Sequence, residues 1–287
     1  MDKSLAQKCD TATELIRGVG RAVIAFSGGV DSTLLAKLAR DLMGREHALA
    51  ATADSPSLAR EDLAEACRLA EQLDLRHMVI RTRELESPIY QENTQARCYV
   101  CKRELFTELE ELATAGRFPA VLYGAIGEDR LAERPGQRAA SQFGVRAPLQ
   151  EAGLAKWEVR EWAKRLGLPN WDRPQNACLS SRIPHGQMVT EAKLRQIEAA
   201  EAVLRAQGFQ QVRVRHLGRH ARIEVGSEAV ERFRDPALIQ EIALEFTRIG
   251  FETVGVDRTG YQAGGANRSP IDELLLDDGR LHTEDRR

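Results

Sequence analysis

The stretch Ala22-Val23-Ile24-Ala25-Phe26-Ser27-Gly28-Gly29-Val30-Asp31-Ser32 decides the fold. Its apolar half, Ala22 to Phe26, is short and unbroken, as in a strand buried on both faces of a parallel sheet. Ser27-Gly28-Gly29 ends it. Thr33 to Met43 then carries Leu34, Leu35, Leu38 and Leu42 at helical spacing. The same alternation extends outward. Leu5 to Arg17 is a helix with Leu5, Cys9, Ala12 and Ile16 on one stripe. Ala48 to Ala53, His77 to Ile80 and Ala120 to Tyr123 read as further strands, with a helix over Ala59 to Leu73. Strands alternating with helices predict an α/β domain with a parallel sheet and right-handed crossovers. The pattern changes near Pro169-Asn170-Trp171-Asp172. A helix over Thr190 to Gln207, strands over Gln211 to Leu217 and Ala221 to Val225, and a last strand near Glu252 to Val256 predict a smaller C-terminal α+β module. The expected division is an α/β domain over 1–172, a site loop over 173–189, the module over 190–268 and a flexible tail over 269–287.

Composition narrows the class. The 287 residues are 43% hydrophobic and 29% charged, as in an ordinary globular protein. No apolar run approaches the roughly 20 residues of a membrane helix, and the N-terminus lacks a signal-peptide core. The protein is therefore expected to be cytoplasmic, with no membrane partner. Lys plus Arg number 41 against 43 Asp plus Glu, a formal charge of -2, so no bulk basic excess marks a nucleic-acid binder. Five cysteines, at 9, 67, 98, 101 and 178, do not suit a disulfide framework. Cys9 and Cys67 sit on apolar helix stripes and are expected in the core.

Ser27-Gly28-Gly29-Val30-Asp31-Ser32 has the chemistry of a phosphate loop. Glycines allow a tight turn and close backbone approach. The amides that open the next helix, helped by its dipole, form an anion site. Ser27 and Ser32 add hydroxyls. Asp31 beside phosphate calls for a cation, and Mg2+ bridging Asp31 to phosphate oxygens supplies one. The plainer alternative is a strand-to-helix turn capped by Ser and Asp. No G-x-x-x-x-G-K-[ST] pattern occurs, so the loop is not of the Walker type.

The S-G-G-V-D-S segment resembles the PP-loop of the ATP pyrophosphatases, which split ATP into AMP and pyrophosphate and adenylate an oxygen that a nitrogen or sulfur nucleophile then replaces. The resemblance implies a PP-loop fold of the adenine nucleotide alpha hydrolase type. It also implies pyrophosphate on Ser27, Gly28, Gly29, Asp31 and Ser32, and adenosine near Ala53, Ser55 and Gly124. Together with Thr52-Ala53-Asp54-Ser55-Pro56-Ser57, Arg97-Cys98-Tyr99-Val100-Cys101-Lys102, Arg134-Pro135-Gly136, Ala177-Cys178-Leu179-Ser180-Ser181-Arg182-Ile183-Pro184-His185-Gly186 and Val212-Arg213-Val214-Arg215-His216, the sequence from about 15 to 267 resembles the LarE family. That resemblance implies an ATP-dependent sulfur transferase of nickel-pincer cofactor synthesis. It would convert a carboxylate of pyridinium-3,5-biscarboxylic acid mononucleotide into a thiocarboxylate, with sulfide or another sulfur donor as partner. A homo-hexamer is implied as well.

Cys98, Cys101 and Cys178 match the LarE type whose three cysteines hold a 4Fe-4S cluster. A second type sacrifices a single cysteine, here Cys178. Three thiolates leave one iron of a cubane open, and Cys98 and Cys101 lie one turn apart on a helix. Two other readings stand beside this. Cys98, Cys101, Leu105, Leu109 and Leu112 share a stripe suited to core packing, and zinc with His185 as a fourth ligand is a third possibility. Arg213 and Arg215 alternate onto one strand face. They suit a phosphate or carboxylate, or a solvated face paired with Glu224. In LarE the matching arginines, with Ser181 and Arg182, bind substrate phosphate. Glu128 and Asp129 are weaker candidates for metal or adenylate contacts. One departure is Gln262 in Gly260-Tyr261-Gln262-Ala263-Gly264, where the family has arginine, leaving Arg213, Arg215 and Arg268 to hold anionic substrate. The rival readings are a tRNA thiolase, an ammonia-dependent ligase of the NAD-synthetase kind, and a non-catalytic ATP-binding module.

Overall fold

A computed structural model describes residues 4–127, 135–174, 176–262, 267, 273–277 and 280–282. The chain divides into two units: Met1–Tyr90 with Gln95–Asn176, and Gln91–Thr94 with Ala177–Arg287.

The N-terminal unit runs α1 (Leu5–Val19), β1 (Ala22–Ala25), α2 (Val30–Met43), β2 (Ala48–Asp54), α3 (Arg60–Gln72), β3 (Arg76–Arg81), α4 (Pro88–Gln91), α5 (Arg97–Ala115), β4 (Val121–Tyr123), α6 (Pro135–Gln142), α7 (Pro148–Glu151) and α8 (Lys156–Arg165). Its sheet has the order β3-β2-β1-β4, and every pairing is parallel. Period-two alternation sends successive residues to opposite faces. Ala22, Ile24, Ala48 and Ala50 join one core with Leu34, Leu35 and Val159, while Val23, Leu49 and Ala51 join another with Phe106 and Leu109. Both faces are thus covered, which is why β1 reads as a continuous apolar run. β3 is an edge strand and leaves Met78 and Val79 exposed.

The C-terminal unit contains α9 (Glu191–Ala206), β5 (Val212–Leu217), β6 (His220–Val225), α10 (Pro236–Ile249), β7 (Thr253–Asp257), β8 (Glu273–Asp277) and β9 (Arg280–His282). Its sheet order follows the chain, β5-β6-β7-β8-β9, and β6 and β7 pair in parallel. Val212, Val214, Ile223, Val225, Val254 and Val256 line a core with Phe246 and Phe251. The segment expected to be a flexible tail is corrected here. Glu273–Asp277 pairs with β7, and Arg280–His282 folds back on it. The Leu274-Leu275-Leu276 run gives β7 a strand to pair with on that side. The boundary between the units falls at Asn176, inside the loop expected over 173–189, and Gln91–Thr94 belongs to the C-terminal unit. Asn93, with a left-handed φ of 56°, explains that insertion. Its buried amide donates to the carbonyls of Ile183 (3.1 Å), Pro184 (2.7 Å) and Gln187 (3.0 Å).

His216 lies inside the C-terminal core against Phe251, with Nε2 3.0 Å from Gln196 Oε1. Its Nδ1 is buried without a hydrogen-bond partner among the described residues. Burial, and next the nearby Lys193, push its pKa from 6.5 down to about 4. Between those values the unfolded chain binds the extra proton more tightly. Stability therefore falls as pH drops from about 6.5 to about 4, by roughly 3 kcal/mol at most. Urea midpoints of the wild-type chain should decline across that window, and His216→Gln should flatten the decline.

Candidate active site

The loop after β1 lies at the carboxyl edge of the sheet, where open α/β sheets bind ligands. Ala25 pairs with Ala51 of β2 and with Tyr123 of β4, so β1 and β4 end level while β2 runs on to Asp54. This brings Ser27 to Ser32, Ala53 and Gly124 to one edge, as the sequence suggests. Gly28 has φ 71°, and a Cβ there would lie 3.1 Å from Ala66 Cα in α3. Gly124 is tighter, since a Cβ would lie 2.7 Å from the Ser32 nitrogen and 2.9 Å from the Asp31 carbonyl carbon. Both glycines are steric requirements of the turn. The serines fix it from within: Ser32 Oγ donates to the Gly29 carbonyl at 3.0 Å, lies 3.1 Å from Ser27 Oγ, and accepts from the Ser27 amide at 3.2 Å. Their hydroxyls build the loop before they can meet a ligand. No side chain caps α2 at Gly29, so the amides of its first turn remain directed to an incoming anion.

Asp31 meets a residue that sequence reasoning missed. Lys156 Nζ donates to both Asp31 carboxylate oxygens, at 2.8 and 2.7 Å. A lysine at the first position of a helix opposes the helix dipole, and that misplacement is the signal in the sequence. Glu158 fixes the helix start. Its buried carboxylate accepts from the Ala155 amide at 2.8 Å and from Lys8 Nζ at 2.9 and 2.7 Å. At the end of β2, Ser55 is drawn inward. Its hydroxyl donates to buried Glu84, and its carbonyl accepts from Leu58 N and Arg60 Nη2. The hydroxyl and carbonyl of Ser55 are therefore committed to shaping the turn.

Cys98 is exposed and Cys101 half-buried near the start of α5. The inward stripe of that helix is Val100, Phe106, Leu109 and Ala113, so the core-packing alternative does not describe Cys98. Cys9 and Cys67 are half-buried rather than enclosed, and burial raises the Cys9 thiol to about 11. Cys178, exposed, belongs to the C-terminal unit. Within neither unit do three His, Cys, Asp or Glu side chains gather as a metal group among the described residues, so His185 completes no zinc set there. Glu128, Asp129, Arg134 and Arg268 lie outside the described residues.

The segment following Cys178 is held by charge. Arg182, 1% exposed, grips Glu201 with two nitrogens at 2.8 and 3.1 Å, and Nη1 donates to the carbonyls of Ala177 and Cys178. Its donors are committed to holding the cysteine loop, which differs from the expected open anion donor. Arg215 forks onto Glu224 at 2.9 and 2.6 Å and donates to the Ser181 carbonyl at 3.2 Å. Glu224 stands opposite Arg213 in register, yet its pair is the diagonal Arg215. Arg213 bonds only the Val212 carbonyl, at 2.7 Å, and stacks 5.2 Å from the Tyr261 ring. Among the described residues it has no carboxylate partner. Burial first, then the neighbouring Arg182, lower its pKa. A bound anion would relieve both effects. His185 N donates to Asn267 Oδ1 at 2.9 Å, tying the C-terminal motif to the same segment.

The fold and loop define an adenine-nucleotide-binding domain of the PP-loop class, and the sequence matches the NAD synthase family over residues 7–109. Pyridinium-3,5-bisthiocarboxylic acid mononucleotide synthase of Lactiplantibacillus plantarum is 34% identical across 92% of this chain and 95% of its own. An uncharacterized Synechocystis protein is 42% identical across 92% of this chain and 98% of its own. The tRNA-specific 2-thiouridylase of Parvibaculum lavamentivorans is 29% identical across 59% of this chain and 51% of its own. The chain belongs to the LarE family of ATP-dependent sulfur transferases. No helix among the described residues is long and apolar enough to cross a membrane.

Gly124→Ala tests the loop geometry. The added methyl must push the backbone at Asp31 and Ser32, an overpacking strain of about 1–3 kcal/mol. MgATP affinity by calorimetry should fall about 10- to 100-fold, with the overall fold kept by circular dichroism.

Proposed function

We propose that the protein makes a thiocarboxylate from a carboxylate of pyridinium-3,5-biscarboxylic acid mononucleotide, with MgATP as activator. The observation that carries this is the near full-length similarity to the synthase of that product, joined to a cationic Arg213 lacking a carboxylate partner. The substrate carboxylate attacks the α-phosphorus of ATP, and the bond to pyrophosphate breaks. Sulfide then adds to the acyl carbon, and the bond to AMP breaks. Thiocarboxylate, AMP and pyrophosphate are the products. The α2 amides hold phosphate oxygens, and Lys156 moves from Asp31 to phosphate charge. Arg213 and Arg215 orient the phosphate of the nucleotide substrate, with Ser181 and Arg182 shaping the loop beside them.

Asp31 would hold Mg2+ through the carboxylate that faces the Lys156 ammonium in the free chain, a hard oxygen donor at the start of the phosphate loop. The exposed thiols of Cys98 and Cys178, with Cys101 one turn from Cys98, have the chemistry to hold a 4Fe-4S cluster. When bound, the cluster supplies the sulfide. The chain is proposed to act as a cytoplasmic homo-oligomer.

The test is incubation of anaerobically purified protein with MgATP, sulfide and the dicarboxylate nucleotide. Expected are AMP and pyrophosphate in equal amounts and a product mass showing oxygen replaced by sulfur. Orthophosphate as the direct product, or thiolation of tRNA instead, would overturn the reading. Iron and acid-labile sulfide should be present and disappear in Cys101→Ala. Arg213→Gln should raise KM for the nucleotide substrate about 10- to 150-fold, the loss of one charge-assisted hydrogen bond, while leaving MgATP affinity in place.

A further inference from the structure

Asn170 follows α8 and is 4% exposed. Its Nδ2 donates to the Gly28 carbonyl at 2.8 Å and to Thr33 Oγ1 at 2.9 Å. Its Oδ1 is buried with no hydrogen-bond partner among the described residues. A buried orphan acceptor is costly, so what the position requires is the amide nitrogen with its two donors. Those donors reach both sides of the α2 start. The Gly28–Gly29 peptide is planar and trans, so its carbonyl and its N–H point in opposite directions. Fixing the carbonyl on Asn170 therefore fixes the Gly29 N–H away from it. That N–H makes only a 3.4 Å contact with Ser27 Oγ. Gly28, at φ 71°, offers little resistance to a peptide flip. A flipped peptide would aim a carbonyl oxygen where phosphate oxygens belong.

We infer that Asn170 is a positioning residue for nucleotide binding, and that its side-chain amide locks the Gly28–Gly29 peptide in the anion-binding orientation. This rests on the reading of the Ser27–Ser32 loop as an ATP site. Asn170 sits in the segment that leads, eight residues later, to Cys178.

The experiment titrates MgATP into the full-length chain by calorimetry at about pH 8.5 and about pH 6, for wild type, Asn170→Asp and Asn170→Leu. Each variant is compared with wild type at the same pH. At the higher pH the new carboxylate faces the Gly28 carbonyl and Thr33 hydroxyl without a proton to give, and Kd should rise about 30-fold. Burial raises the pKa of such a carboxyl. At the lower pH the acid form donates one of the two bonds, and the penalty should shrink to less than about 10-fold. Asn170→Leu has a similar volume and no donor, and should bind weakly at both pH values. A purely packing role would give Asn170→Asp no such pH-dependent recovery. Asn170→Asp weakened equally at both pH values, or Asn170→Leu binding like wild type, overturns the inference. If Asn170→Asp does not fold, Asn170→Leu decides alone. Wild-type chain that binds no MgATP overturns the nucleotide reading itself, and the inference with it.

Discussion

Close approach of bare backbone at the end of β1 is the constraint on which the site depends. Gly28 touches α3 and Gly124 touches the first turn of α2, each at a distance that leaves no room for a side chain. Removing those side chains lets two neighbouring strand ends and a helix start converge on one small volume. Convergence has an electrostatic consequence. The helix N-terminus concentrates positive potential, and Asp31 enters the same volume with a negative charge. Lys156 restores the balance at 2.7 Å. Lys156 opens α8, and Glu158 fixes that helix start through a half-buried ion pair with Lys8 of α1.

The C-terminal unit solves a related problem with the opposite sign. Arg182, Arg213, Arg215 and Arg222 are all at least nine-tenths buried, against the carboxylates of Glu201, Glu224 and Glu273. Buried charges are tolerated when paired. Three of the arginines have such pairs, and Arg213 instead rests on a carbonyl and an aromatic face. Cation–π contact offsets desolvation only in part. The pairs are not inert scaffolding either. By gripping Glu201, Arg182 can also hold the carbonyls of Ala177 and Cys178, and that fixes the backbone from which the Cys178 thiol projects.

The parts legible in the sequence are those that short-range pattern encodes. The alternation of β1 and β2 into two cores, the stripe of α2 and the glycine turn are local, and β1 to β7 lie within a residue or two of their expected places. The polar contacts that finish the site are not local. Asn93 bonds residues about 90 positions away, Lys156 is 125 positions from Asp31, and Asn170 is 142 from Gly28. Nothing in the periodicity of either partner announces such a bond. The Arg215–Glu224 pair was ambiguous for a different reason. Register places Glu224 opposite Arg213, and only side-chain length and the Ser181 carbonyl favour the diagonal partner. The strands β8 and β9 were missed because a polar composition conceals a three-leucine run that an open sheet edge can recruit.

Asp31 connects the two kinds of observation. An ionised carboxylate has about four lone-pair sites, and Lys156 takes one on each Asp31 oxygen, so a metal that bound both oxygens would compete with the ammonium for them. The ammonium does not then lose its counter-charge, because the nucleotide that accompanies the metal brings its own phosphates to the α2 amides. Charge stays balanced before and after, and only the partners change. A loop lacking the Walker lysine therefore needs no lysine of its own. A cation already stands beside the loop, at the start of α8, on the Asp31 carboxylate. Free metal would meet an ion pair at Asp31, whereas metal arriving with phosphates would offer the ammonium a new partner as it took the carboxylate.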